Sequence, residues 1–243
     1  MVQKLEPGRI AGQNIVFIVA GGPLEDLLFL HRRILEANPS EVICADGGTR
    51  HMLLLGMVPQ TVIGDMDSLS QEILGDLRQR GCRVLQYPAR KDETDTELAL
   101  RYALAQKPDQ IEIYGALGGR IDHTLANISL LVMATREGIE TRIIDATTEM
   151  FVLSGDSEIK GNPDEIVSLF PLTTEVQGII LKGFEYPLHY ATMAIGKPYG
   201  ISNRLLANKG TVSLTSGYLL VVKSRLDEGL TKGGHASCDR PGC

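Results

Sequence analysis

Through its first 146 residues the chain alternates short aliphatic runs with longer stretches of helical apolar spacing, and this leaves few folds open. The runs are IVFIVA (15–20), VICAD (42–46), TVIGD (61–65), RVLQYP (83–88), QIEIYG (110–115) and TRIIDA (141–146). Between them lie LEDLLFLHRRILEAN, QEILGDLRQRG, TDTELALRYALAQ and DHTLANISLLVMATREG, each with apolar residues recurring at helical intervals. Strands separated by helices cannot pair as hairpins, so they predict an α/β layer fold with a mostly parallel sheet flanked by helices.

The helical period ends near residues 145–148. EMFVLSGDSEIKG, EIVSLFPLT, EVQGIILKGF and GTVSLTSGYLLVVKS follow as short alternating runs broken by Gly, Pro, Asn and Ser. That pattern predicts a smaller C-terminal antiparallel β-sandwich. The expected organisation is an α/β domain over 1–146, a β-sandwich over 147–226 and a flexible tail over 227–243, where DEGLTKGGHASCDRPGC has too few apolar groups to offset ordering entropy.

Composition narrows the function classes. With 43% hydrophobic residues, 243 residues suffice for a buried core. The net charge of −6 argues against a broad nucleic-acid or anionic-lipid surface, so any phosphate site must be local. No run is long enough to span a bilayer and the first residues lack the build of a signal peptide, so a cytoplasmic protein is expected. Cys44, Cys82, Cys238 and Cys243 have no metal-ligand spacing and read as reduced thiols.

Ligands of parallel sheets bind outside the carboxyl ends of the strands, and four polar clusters fall there. They are Asp46-Gly47-Gly48, Asp65 with Asp67, the RKDETD loop (90–95) and GALGGRIDH (115–123). Two carboxylates ~5 Å apart at an effective dielectric near 20 repel by about 3 kcal/mol, so Asp65 and Asp67 need either bulk water or a cation. Thr94 and Glu97 form a capping box, which makes Thr94 the expected N-cap and puts Asp95 in the first turn. Asp65, Asp67, Asp92 and Asp95 thus gather around one crevice, and hard oxygen donors in need of charge compensation point to Mg²⁺ bridging carboxylates to substrate phosphates. Gly115, Gly118 and Gly119 allow close backbone approach, and Arg120 offers a planar cation for phosphate oxygens. Asp122 reads either as a helix cap or as a metal or substrate contact. His123 and Asn127 share one helical face and carry no assigned base role; Arg90 and Lys91 add positive charge. Neither a GxxxxGK[ST] cradle nor a GxGxxG fingerprint is present.

Taken in order, ADGG (45–48), GDMDS (64–68), KDETD (91–95), GGRIDHTLAN (118–127), SLFPLT (168–173), GFEYPL (183–188) and ISN (201–203) resemble the bacterial thiamine pyrophosphokinases over about residues 15–225. The resemblance implies transfer of the β,γ-diphosphoryl unit of ATP to the hydroxyethyl oxygen of thiamine, giving thiamine diphosphate and AMP. It also implies a homodimer whose thiamine pocket takes residues from both subunits. On this resemblance Asp65, Asp67 and Asp95 are Mg²⁺ and phosphate-site carboxylates, with Asp92 beside them. Arg120 and Asp122 match the nucleotide and catalytic positions. Asp46, Gly47, Lys91, Thr94, Gly118 and Gly119 complete the expected nucleotide side, and Ser202 and Asn203 fall in the substrate segment. Where eukaryotic members carry a stacking Trp in the motif matching GFEYPL, this chain has no Trp and offers Tyr186. Competing expectations are a diphosphokinase for a hydroxymethylpterin, a Mg²⁺-dependent phosphatase, and a non-catalytic nucleotide or thiamine sensor.

Overall fold

The computed structural model describes residues 14–224; the expected tail at 227–243, with Cys238 and Cys243, lies outside them. The chain runs β1 (Ile15–Val19), α1 (Leu27–Ala37), β2 (Glu41–Ala45), α2 (Thr49–Leu54), β3 (Thr61–Gly64), α3 (Gln71–Gln79), β4 (Arg83–Gln86), α4 (Asp95–Ala105), β5 (Gln110–Tyr114), α5 (Ile121–Arg136) and β6 (Glu140–Ile144). An all-β stretch follows: β7 (Thr148–Leu153), β8 (Ser157–Lys160), β9 (Ile166–Pro171), β10 (Glu175–Lys182), β11 (Leu188–Ala194), β12 (Asn203–Arg204), β13 (Lys209–Ser213) and β14 (Leu219–Ser224).

All six expected N-terminal strands are present, and they pair in parallel in the order β4-β3-β2-β1-β5-β6. Alternation within each strand splits the core into two layers. Val16 and Ile18 of β1 join Ile43, Ile63, Ile111 and Ile113 under α4 and α5. Phe17 and Val19 face the other way, with Val42, Cys44 and Val62, under α1, α2 and α3. Helix α2 follows a 3₁₀ turn at Asp46–Gly48 and has no counterpart in the sequence reading, because six residues are too few to show a period.

The expected second sheet is present, and the large sheet takes part in its packing. A turn at 145–147 joins β6 to an antiparallel β7; the Asp145 carboxylate fixes it by accepting from the amides of Thr147 at 2.8 Å and Thr148 at 2.6 Å. The sheet then continues through β14, β9 and β12 to ten strands. Against this antiparallel half lies the four-stranded sheet β11-β10-β13-β8, and Phe151, Leu169, Ile179, Leu181, Val212 and Val221 fill the space between.

The strand order reverses between β1 and β5, so a crevice opens at their carboxyl ends. Gly115 (φ +64°) makes the crossing possible: a Cβ there would sit 2.5 Å from the Ala20 carbonyl oxygen.

Candidate active site

A cleft of about 760 Å³ occupies that edge, walled by residues from the loops after β1, β2, β3 and β5 and from the start of α4. At its acidic end, one carboxylate oxygen each from Asp46, Asp65 and Asp67 lie within 4.8 Å of one another. Asp46 belongs to the turn after β2 and holds a left-handed φ of +33°; the other two follow β3. Gly64 is the residue that lets the two loops close up, since a Cβ there would meet Asp46 Cβ at 2.7 Å and Asp95 Cγ at 3.1 Å.

Asp46 is only 5% exposed, and its Oδ1 has no hydrogen-bond partner. Its pKa is raised above the usual carboxylate range, first by burial and then by the charges of Asp95, Asp67 and Asp65, against a lowering hydrogen bond from Ser68. The Asp67 amide donates to Asp65 Oδ1 at 3.2 Å, and the Ser68 hydroxyl donates to Asp67 Oδ1 at 3.2 Å. Oxygen donors at this spacing, one of them buried and without a donor, fit a hard divalent cation such as Mg²⁺. The sequence reading placed Asp46 on the nucleotide side and Asp95 in the ligand set; the geometry brings Asp46 into the carboxylate triad. Asp95 lies beside it, its Oδ1 2.9 Å from Lys91 Nζ.

The other expected residues divide into three groups. Gly47, Thr94, Gly118, Gly119 and Arg120 line the cleft, as do His123 and Asn127. Thr94 is the N-cap of α4, its hydroxyl accepting from the Glu97 amide at 3.1 Å. Asp122 does not cap α5: the cap position is Arg120, and Asp122 sits in the first turn, accepting from Arg120 Nη2 at 2.5 Å. Two residues of separation suffice for that pairing, which lowers the Asp122 pKa and raises that of Arg120. Asp92 is exposed and lies outside the cleft lining, and so do Tyr186, Ser202 and Asn203. These last three cluster on the β-domain, where Asn203 bonds the Tyr186 backbone and the Ser202 amide donates to Ser168 Oγ at 3.0 Å.

Several contacts that shape the cleft cannot be read from sequence spacing. The Nε2 of His51 lies 2.8 Å from the Gly22 carbonyl, which ties α2 to the loop after β1. Arg50 Nη2 donates to the Ser68 carbonyl at 2.7 Å, and Asn127 Nδ2 to the Ala116 carbonyl at 2.9 Å. All three depend on which loops meet in space. Only the capping box and paired aspartates have local signatures.

Two family models cover most of the chain: the thiamin pyrophosphokinase catalytic domain matches residues 33–143, and the thiamin pyrophosphokinase vitamin B1 binding domain matches residues 156–219. A thiamine pyrophosphokinase from Bacillus subtilis is 34% identical over 184 residues, spanning 75% of this chain and 86% of that protein. The crystal structure of a thiamine pyrophosphokinase from Bacillus subtilis superposes with a TM-score of 0.77 at 31% identity, covering 88% of this chain and 100% of the other. The thiamin pyrophosphokinase from Candida albicans shares the fold at 16% identity, with a TM-score of 0.76 over 88% of this chain and 90% of its own. With both family models matched and a relative 34% identical over 75% of this sequence, the chain belongs to the thiamin pyrophosphokinase family.

Proposed function

We propose that the protein transfers the diphosphoryl unit of ATP to thiamine, giving thiamine diphosphate and AMP. The observation that carries this reading is the triad of Asp46, Asp65 and Asp67 at a cleft whose lining also includes Gly118, Gly119 and Arg120. A site that combines clustered carboxylates with a cationic glycine-rich loop suits a polyphosphate held through a divalent ion. The match to a vitamin B1 binding domain favours thiamine over a pterin alcohol, and the match to a kinase catalytic domain favours an enzyme over a phosphatase or sensor.

In the reaction an O–P bond forms between the hydroxyethyl oxygen and the β-phosphorus of ATP, while the β-phosphorus bond to the α,β-bridging oxygen breaks and AMP leaves. Mg²⁺, when bound, neutralises polyphosphate charge. Asp46, Asp65 and Asp67 would hold it, with Asp95 alongside. The Gly118-Gly119 backbone and Arg120 orient phosphate oxygens, and most of the rate enhancement comes from such positioning. The hydroxyl proton passes to a carboxylate on the rim. The candidates are Asp122 and Asp92, both exposed and both with neighbours that line the cleft: Arg120 and His123 for the first, Thr94 and Asp95 for the second.

Tyr186, Ser202 and Asn203 lie outside the cleft of their own chain, which supports a homodimer in which the β-domain of one subunit completes the thiamine pocket of the other. Exposed Tyr186, Tyr190 and Ile195 around the edge strand β11, and exposed Ile121 and Leu125 at the start of α5, are apolar surface that a second copy would cover. Among the described residues no helix is long and apolar enough to cross a membrane, which accords with action in the cytoplasm. The test is incubation of protein, ATP, Mg²⁺ and thiamine with both products identified by mass. Thiamine diphosphate with equimolar AMP is expected; phosphate release, or no AMP, would overturn the reading.

A further inference from the structure

Lys91 is the one cation that enters the carboxylate group among the described residues. Its Nζ lies 2.9 Å from Asp95 Oδ1, and its side chain is 12% exposed, against 29% for that of Asp95. Its remaining polar contact is a 3.4 Å bond donated to the Pro88 carbonyl. The neighbouring carboxylates are Asp46, which feels Asp95 directly, and Asp65 and Asp67 beyond it. Arg90 is exposed, and Arg50 is committed to the Ser68 carbonyl.

We propose that Lys91 is a built-in counter-ion of the cleft, pairing with Asp95 while no nucleotide is bound and moving to a polyphosphate oxygen when MgATP enters. This deepens the diphosphokinase reading and rests on it. An ammonium on a flexible four-carbon stem suits the exchange, since it is a point charge without fixed donor geometry. Two linked consequences follow. Before nucleotide binds, Lys91 competes with a divalent ion for Asp95 and weakens metal binding. Once nucleotide is present, the same charge contributes to its affinity. A residue that only stiffened the loop would not affect the two in opposite directions.

The test titrates Mn²⁺ alone into nucleotide-free protein, following the free-ion EPR signal, and separately measures KM for MgATP. An exchange of one partly screened ion pair predicts that Lys91→Met and Lys91→Gln each bind Mn²⁺ about fivefold more tightly than the wild type, with KM for MgATP raised about fivefold and KM for thiamine unchanged. Lys91→Arg, which keeps the charge, follows the wild type in the Mn²⁺ titration. If Asp67→Asn abolishes Mn²⁺ binding but the two neutral Lys91 variants match the wild type or bind less tightly, the counter-ion role falls and the metal-site reading stands. If the wild type itself binds no Mn²⁺, both fall together.

Discussion

Asn203 reads the backbone of Tyr186 in both directions: its Oδ1 accepts from the Tyr186 amide at 3.0 Å, and its Nδ2 donates to the Tyr186 carbonyl at 2.8 Å. Asn203 is buried, whereas the Tyr186 side chain projects from a residue that is 63% exposed. The buried amide therefore fixes where the exposed ring stands. Asn203→Ala takes the side-chain partner from three backbone groups, the Arg204 amide being the third, and costs about 1–3 kcal/mol in a denaturant titration. Tyr186→Ala changes stability by no more than about 0.5 kcal/mol. Both raise KM for thiamine and leave KM for ATP near the wild-type value, which steady-state assays varying each substrate would separate.

Asp67 is exposed, and its main neighbours are Ser68 and other carboxylates. Asp67→Asn keeps the shape and removes one charge from a repelling set, so the fold survives with an unchanged or slightly higher Tm. Turnover falls by about 100-fold or more, because a ligand needed for charge stabilisation is lost. Circular dichroism together with the AMP-release rate checks both halves, and a variant with wild-type turnover would remove the metal-site role.

The raised pKa of Asp46 carries a definite sign for stability. The native state keeps the proton at pH values where the unfolded chain has released it, so the contribution is full below the ordinary carboxylate pKa and is lost as pH rises through the folded value. In Mg²⁺-free buffer, the Tm of Asp46→Asn therefore gains on that of the wild type as pH rises above about 4. Asn tolerates the left-handed φ at this position, so the comparison isolates the charge. On the proposed metal-site reading, adding Mg²⁺ stabilises the wild type more than the variant. Thermal unfolding of both proteins across pH, with and without Mg²⁺, measures the gap.

Much of this site was legible because it is written in local chemistry. The capping box gave Thr94, the strand ends gave Asp65 and Asp67, and the loss of helical period near residue 146 located the turn at Asp145. What the sequence could not give were the pairings between loops distant in the chain. Asp46 enters the triad because Gly64 carries no Cβ, which would sit 2.7 Å from that of Asp46, a fit that no spacing rule encodes. Lys91 lies in the loop before α4, four residues ahead of Asp95, and no helix period brings the two together or places the pair beside the triad. The continuity of the large sheet into the β-rich half was hidden for a related reason: alternating runs reveal strands without revealing which sheet each one joins.

Glu112 is the clearest case of a residue that the sequence hid, since it reads as a polar interruption in an apolar strand. It is 2% exposed on β5 and accepts two bonds from Arg33 Nη2 of α1, at 2.7 and 2.9 Å, together with the hydroxyl of buried Tyr114. Burial opposes the Arg33 charge, but Glu112 more than compensates and holds its pKa above the ordinary value. The Tyr114 hydroxyl is likewise pushed upward, by burial first and by Glu112 next. The group pins α1 to the strand whose end forms the cleft, because the Tyr114 carbonyl accepts from the Ala20 amide at 2.8 Å. Removing one partner of a buried pair leaves the other uncompensated, so Glu112→Ala costs about 3–5 kcal/mol. Arg33→Met with Glu112→Leu removes both charges and recovers a large part of that loss, as a double-mutant cycle in urea would measure. Because the side-chain hydrogen bonds of the network involve none of the residues lining the cleft, the doubly substituted protein keeps KM values for ATP and thiamine close to those of the wild type.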